Sequence, residues 1–519
     1  MGKDKEKEKI DFYQQCLDII KENMPIGEAF DLIERKMVIG GKEATAYFID
    51  GLTDGQKCQL FMAQLYNKTE ETMKKVHNSK DFLKICLPFM DAQTVQGENA
   101  YDAYMNMLPK LYAGLVPLIV EGLDEIIIID CRDYPLRSIE EPDKEKSLRG
   151  AKDGFGESMM NNVALIRRRI RDNHLIFKAY NIGQLSKADV AIAYMDNKAD
   201  KKLIKKLDDT LKNMGEYSKE YGSDSYGEKE SYTKCESKEM QSEKQAFPKG
   251  EQVEEVALGD QSILETLMNS FNGKSSFNPF PKVRYSQRPD VIAAHINEGK
   301  IAIIVDNSPT VMLVPVSVFE FFQDVDDYYF PKLTGNYFRL LRIVNFFVIL
   351  FLIPVYFLFT EYDNLTPDVL EFFVPKEAFA IPIFWQFILL ETAIDALKLA
   401  SLNTPTSLGM SLSVIGALIL GEFSIESGWF VPQTILCMAV VALAAFTQPS
   451  IELSYAMKFW RIALLIGAAI FGIWGVAAVF ILGVVTIAST KTLSGESYLY
   501  PLVPFDGKAL KRLIFRTQK

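Results

Sequence analysis

Histidine and cysteine are scarce in this 519-residue chain, with three of the first (His77, His174, His295) and six of the second (Cys16, Cys58, Cys86, Cys131, Cys235, Cys437). The histidines stand alone, outside any HExxH or Cys/His spacing, and no CxxC occurs, so neither a metal centre nor a redox dithiol is expected. The thiols read as reduced side chains of a cytoplasmic domain. A basic excess is lacking too: 67 acidic against 57 basic residues give a net charge of −10, which argues against a nucleic-acid partner. The glycine-rich stretch 150–156 (GAKDGFG) lacks the Lys-Ser/Thr ending of a phosphate-binding loop and reads as a turn and helix start. The chain opens on charged residues with no apolar h-region, so no cleavable signal is expected. Gly2 is not followed by Ser or Thr at position 6, so the myristoylation pattern fails as well. No nucleophile–base arrangement is present. A non-enzymatic protein without a cofactor is the expectation.

What is abundant is apolar sequence, and it is confined to the last third. Four long runs, 343–359, 407–425, 430–446 and 462–487, follow one another with little room for soluble loops. A bilayer core needs about 20 largely apolar residues per helix. The mean hydropathy of +0.04 averages a polar half with this apolar one. The expected fold class is an α+β soluble N-terminal region, built of two small α/β units, followed by an α-helical polytopic membrane domain.

The polar half divides further. Residues 10–110 read mainly as helices, interrupted by a strand at 44–52 and a helix opening at Thr53-Asp54. Segments 115–120 and 126–130 read as a β-hairpin, 147–171 as a helix, and 175–182 and 190–195 as strands. Residues 214–252, rich in Ser, Lys, Glu and Gly, read as a disordered linker. A second unit follows, with a helix at 289–298, strands at 300–305 and 311–314, and a helix at 316–323. The domain limits are therefore 1–213, the linker 214–252, 253–330, the membrane region 331–491, and a basic tail 492–519. Arg167, Arg168, Arg169 and Arg171 form a basic stripe, read as solvated or internally paired in preference to a lipid or subunit contact.

In the apolar half, Lys332, Arg339 and Arg342 precede the first run, Lys458 and Arg461 precede the last, and 361–377 is acidic. The positive-inside rule puts the N-terminal region and the tail (Lys508, Lys511, Arg512, Arg516) in the cytoplasm, which requires an even number of crossings. Segment 381–399 makes a fifth candidate, so one element is expected to be re-entrant or interfacial. Within it Glu391, Asp395 and Lys398 share one helical face, either as part of an ion path or as an internal network that holds helices together. In the run 407–425, Gly409, Ser413, Ala417 and Gly421 form a small-residue packing face, while Ser411, Ile415, Leu418 and Glu422 lie on another. An oligomeric pore helix needs both: an acid ring to select cations and an apolar constriction to gate by dewetting. Glu422 simply meeting water at the span end is the plainer alternative.

Several motifs occur in order along the chain. Tyr134-Pro-Leu-Arg-Ser-Ile-Glu140-Glu141-Pro142-Asp143 is followed by Arg149-Gly150-Ala-Lys-Asp-Gly154-Phe155, then by Asn403-Thr-Pro405-Thr406 and Pro449-Ser-Ile-Glu452-Leu-Ser-Tyr455. Together they resemble the spore germination A-subunit (GerA-type) family over essentially the whole chain, the 214–252 insertion excepted. Further runs, among them Arg167-Arg-Arg-Ile-Arg-Asp172 and Pro504-Phe-Asp-Gly-Lys-Ala-Leu510, resemble one branch of it. Ile451 departs from the tyrosine usual at its position. The resemblance implies a multi-pass protein of the inner spore membrane that forms a homo-oligomer, pentameric in this family, and releases monovalent cations during germination. It also implies possible partners: germinant receptor subunits or a small membrane subunit, besides membrane lipid. Rival readings are a non-conducting signalling subunit, a secondary transporter and an assembly scaffold. No inverted repeat supports the transporter.

Overall fold

The computed structural model describes residues 11–134, 150–182, 188–222, 278–324, 326–362, 371, 373–375, 379–403 and 424–514. They fall into two units, residues 1–271 with 285–315, and residues 272–284 with 316–519.

In the first unit, helix α1 (Phe12–Asn23) precedes strands β1 (Leu32–Ile39) and β2 (Lys42–Ile49), which pair antiparallel across a Gly40-Gly41 turn where both residues have positive φ. Asp54 caps α2 (Gly55–Tyr66), accepting from the backbone N–H groups of Gln56 (2.8 Å) and Lys57 (3.2 Å), as the Thr53-Asp54 pair led us to expect. Strand β3 (Ala92–Val95), helix α3 (Ala100–Leu111) and the antiparallel hairpin β4 (Val116–Val120) and β5 (Ile126–Ile129) complete a sheet of order β1-β2-β4-β5-β3. Four isoleucines in a row build β5, and all four are buried, because both faces of this strand are covered. Burial pushes the Cys16 thiol up to about 12, so it packs as an inert apolar group.

The second sheet of this unit joins distant parts of the sequence. Helix α4 (Met159–Arg169), β6 (Leu175–Ile182), β7 (Ala188–Met195), α5 (Lys201–Gly222), β8 (Arg284–Ser286), α6 (Pro289–Asn297), β9 (Ile301–Val305) and β10 (Val311–Val314) follow in order. The strand order is β6-β7-β9-β10-β8, with β7 hydrogen-bonded to β9 from Val190–Val305 to Ala193–Ala302. Residues 289–314 are thus not a separate small domain. Their strands carry on a sheet begun at Leu175, because β9 is buried throughout, β7 is buried at every position but Asp189, and buried backbone groups need a hydrogen-bonded neighbour on both edges. Helix α5 runs to Gly222, past the boundary placed at 213. Segment 316–323 is a 3₁₀ turn, Val318–Phe322, closed by a capping box between Ser317 and Glu320.

The helix expected over 147–171 starts only at Met159. Before it, Asn162 bonds both backbone groups of Gly156, donating to its carbonyl (2.7 Å) and accepting from its N–H (2.9 Å). Phe155 is buried, and its N–H donates to the Gln287 carbonyl at 2.9 Å. Gly154 is buried and Gly150 lies at the exposed start of this loop, with φ 114°. The motif residues Glu140, Glu141, Pro142 and Arg149 lie outside the described residues.

Arg167 from the basic stripe is fully buried. Its guanidinium forms a fork on Asp31 (Nε–Oδ2 2.8 Å, Nη2–Oδ1 3.0 Å), donates to the Leu175 carbonyl at 2.9 Å, and lies over the Phe177 ring at 4.9 Å. Arg169 pairs with Asp153, and Arg168 sits over the Tyr134 ring. The stripe is therefore internally paired at these three positions. Removing one partner of a buried pair leaves an uncompensated charge. Arg167→Met should destabilise this unit by about 3–5 kcal/mol, and adding Asp31→Leu should recover most of the loss. Hydrogen exchange of α4 and β6 peptides in the full-length protein measures this. Unchanged exchange in the single variant would show that the pair contributes nothing.

The second unit is helical. Its long elements are α7 (Lys332–Glu361), α8 (Ile383–Asn403), α9 (Pro432–Phe446) and α10 (Ile451–Ser489), followed by the short α11 (Gly507–Ile514). Helices α7 and α10 are long and apolar enough to cross a membrane, and α9 is shorter and apolar. The fourth run is not one straight helix. At Gly472 the backbone leaves helical geometry (φ 61°, ψ −141°). A β-carbon on Gly475 would fall 1.9 Å from the Gly467 carbonyl oxygen, and one on Gly483 would meet the Trp460 ring at 3.3 Å. Residues eight apart in a straight helix are about 12 Å apart. Arms 451–471 and 473–489 therefore double back on each other as an antiparallel pair, with Gly472 at the tip.

Candidate functional site: a buried charge cluster in the helical bundle

Contacts along the helices fix their directions. Near the start of α7, the Arg342 carbonyl accepts from Gln448 (3.1 Å) and Asn345 donates to Thr447 (2.9 Å), so the α9–α10 link lies at that end. Near the other end of α7, Tyr356 packs edge-on against Phe387 and Phe373, and Tyr362 is the nearest side chain to Gly472. The start of α8 lies there too. Gln386 accepts from the Val431 N–H (3.0 Å) and the Thr434 hydroxyl (2.8 Å), joining the starts of α8 and α9. The Lys398 ammonium lies over the rings of Phe446 (5.4 Å) and Tyr455 (5.7 Å), joining their far ends. Helices α8 and α9 are therefore parallel neighbours, and Asn403 and Ser424 lie at opposite ends of the bundle.

The second arm of α10 returns to the end where α7 begins. Thr490 accepts from Asn278 at 2.7 Å, the Tyr498 hydroxyl donates to the Pro281 carbonyl at 2.5 Å, and Phe280 stacks on Trp460. At this end Asp327 is buried between Arg339 (3.2 Å) and Arg342 (2.7 Å), so two of the three basic residues before the first run are matched by a carboxylate.

Inside the bundle, α8 and the first arm of α10 bring four charges together. Glu391 is buried and accepts from Arg461 Nε at 2.7 Å, while Lys458 lies 3.4 Å from its other oxygen and also pairs with Asp395. Arg461 further donates to the Ile349 carbonyl of α7 at 3.1 Å. The cluster thus ties three helices together at one level. Glu391 and Asp395 do share a face, as the 3.6-residue period predicts. Both carboxylates find cationic partners on α10. Sequence reading placed Lys458 and Arg461 as flanking charges before a span; a carboxylate 67 or 70 residues away carries no local sequence signal. The glycines that close the hairpin went unnoticed as well, although the 39-residue length of α10 pointed that way.

Pro449 occupies the α9–α10 link, Ser450 caps α10 by accepting from the Leu453 N–H (3.2 Å), and Glu452 accepts from the Ser450 hydroxyl (2.8 Å). These motif residues start a helix. The proposed packing face (Gly409, Ser413, Ala417, Gly421), the proposed pore face (Ser411, Ile415, Leu418, Glu422) and Pro405 all lie outside the described residues. Among the described residues no cluster of metal-binding side chains occurs.

The sequence profile of the Bacillus/Clostridium GerA spore germination protein matches residues 18–216 and 251–519, leaving out most of the polar 214–252 segment. Stage V sporulation protein AF of Bacillus subtilis is 33% identical over 522 residues, covering 99% of this chain and 95% of that protein. Spore germination protein A1 of the same organism is 28% identical, covering 91% of this chain and 87% of its own length. Spore germination protein KA, also from Bacillus subtilis, is 25% identical over 96% of this chain and 84% of its own length.

Proposed function

The chain belongs to the Bacillus/Clostridium GerA spore germination family, and from that membership we propose that it is a multi-pass membrane protein that conducts monovalent cations as a homo-oligomer during germination. The observation that carries the membrane part is the direction of the helices. Helix α7 leads away from the end that holds residues 278–284 and 316–323, α8 and α9 both lead back to it, and the two arms of α10 go out and return. Taken together with the span that the sequence reading places in the run 407–425, which lies outside the described residues, this reading has six crossings. That even number satisfies the charge argument that places both the N-terminal region and the basic tail in the cytoplasm. On this reading the hairpin at Gly472 would add the crossing that a single fourth span lacks.

Conduction rests on the chemistry of the run 407–425. Glu422 would raise cation occupancy, and Ile415 with Leu418 would close the path by dewetting. Glu391 and Asp395 would hold the bundle around it and shape the field at its wall. The N-terminal unit would form a cytoplasmic ring that stabilises or gates the pore, with membrane lipid and germinant receptor subunits as partners.

A second reading is a non-conducting subunit that transduces a signal within a germinant receptor complex. The pairing of Glu391 with two cations favours it, since that carboxylate is already neutralised inside one protomer. Potassium efflux from liposomes holding the purified protein alone separates the two. Efflux supports the channel, and its absence with an intact oligomer supports the transducer.

A further inference from the structure

At the end of the helical unit where α7 begins, an apolar cavity of about 250 Å³ opens between α7, the close of α10 and the C-terminal segment. Its walls include Phe346 and Phe347 of α7, Phe322, Ile487 of α10, Leu499, and Leu510 of α11. Arg339 also lines it, held by its ion pair with Asp327. An apolar cavity of about 150 Å³ stays dry and takes up an apolar guest. This one is larger, so its fitting occupant is a flexible hydrocarbon.

The charge around it specifies the rest of the ligand. Helix α11 is anchored by Asp506, whose carboxylate accepts from the N–H groups of Lys508 (2.9 Å) and Ala509 (3.0 Å). From that start the helix sends Leu510 to the cavity wall and leaves Lys508 and Lys511 exposed. Apolar and basic positions therefore segregate on a short helix that packs against α7 where the long apolar run begins. A basic amphipathic helix at that level attracts anionic headgroups, with each lysine near the surface contributing independently.

We propose that this cavity takes an acyl chain of an anionic phospholipid whose phosphate is met by Lys508 and Lys511. The proposal rests on the membrane reading above but not on conduction. Both requirements fall on one ligand: an apolar chain next to a phosphate, with the boundary between them at Leu510.

Native mass spectrometry of the full-length protein in detergent, with phosphatidylglycerol or phosphatidylcholine added in equal amounts, tests it. The wild type should retain phosphatidylglycerol preferentially, and each Lys→Gln change at 508 and 511 should cut that preference by about fivefold while sparing phosphatidylcholine. Leu510→Trp, which fills the cavity, should lower retention of both lipids. Leu499→Trp fills it from another wall and serves if the first variant loses its oligomer. Equal retention of both lipids by the wild type, or retention unchanged in the lysine and filled variants, would overturn the proposal. Failure of the membrane reading looks different: the protein would stay monodisperse without detergent.

Discussion

Gly475→Ala should abolish the folded helical unit, giving aggregated protein on size exclusion where the wild type elutes as a single species. The added β-carbon would lie 1.9 Å from the Gly467 carbonyl oxygen, which belongs to helix backbone and has no rotamer through which to retreat. Gly467 itself has the reverse problem, with a β-carbon 2.9 Å from the Gly475 oxygen. Overpacking a close-packed interior usually costs about 1–3 kcal/mol, and a backbone clash of this size belongs at or above the upper end. The loss should be visible in tryptophan fluorescence, because Trp385, Trp429, Trp460 and Trp474 all lie in this unit. Gly55→Ala is the matched control. Gly55 is the first residue of α2, nothing lies within 4 Å of its added carbon, and its effect should be near zero. A Gly475→Ala protein as stable as the wild type would mean that the two arms of α10 do not pack against each other.

Glu391→Gln should be the most damaging conservative change among the charged residues of the bundle. It removes the only carboxylate bonded to Arg461 among the described residues and leaves Lys458 with Asp395 alone. On the proposed membrane reading, an unpaired charge at the centre of a span costs about 2.5–3.5 kcal/mol on insertion scales. The melting temperature in detergent should fall by several degrees, and trypsin should cleave faster. Combining Glu391→Gln with Arg461→Gln should restore much of the loss, since the second change removes the orphaned charge. Asp395→Asn should cost less, because that carboxylate is 31% exposed. If the single variant melts like the wild type, the cluster does not hold the helices together.

Much of the first unit was legible because its signals are local. The hairpin at 116–129 is two apolar runs around a glycine at positive φ, and Asp54 sits where an N-cap must. Strand β1 was missed because four consecutive residues, Ile33 to Lys36, are exposed, which breaks the alternation that marks a strand. Strand β3 is only four residues long. The second sheet could not be read from spacing, since its halves are separated by residues 196–283 and the sequence carries no sign of which strand completes which. The bundle shows the same limit. Apolar composition is equal for one long helix and for two antiparallel arms, so only the three glycines at 467, 472 and 475 and the excess length carried the hairpin. The face shared by Glu391 and Asp395 was legible from helical phase; their partners on α10 were not.

The central claim is the proposal that the protein conducts cations as a homo-oligomer, with the run 407–425 lining the path. Potassium efflux from liposomes holding the wild type, Ile415→Ala or Glu422→Gln protein tests it most directly. Efflux should rise when the apolar constriction is trimmed and fall when the acid is neutralised. No efflux from any of the three, with the oligomer intact, would contradict it.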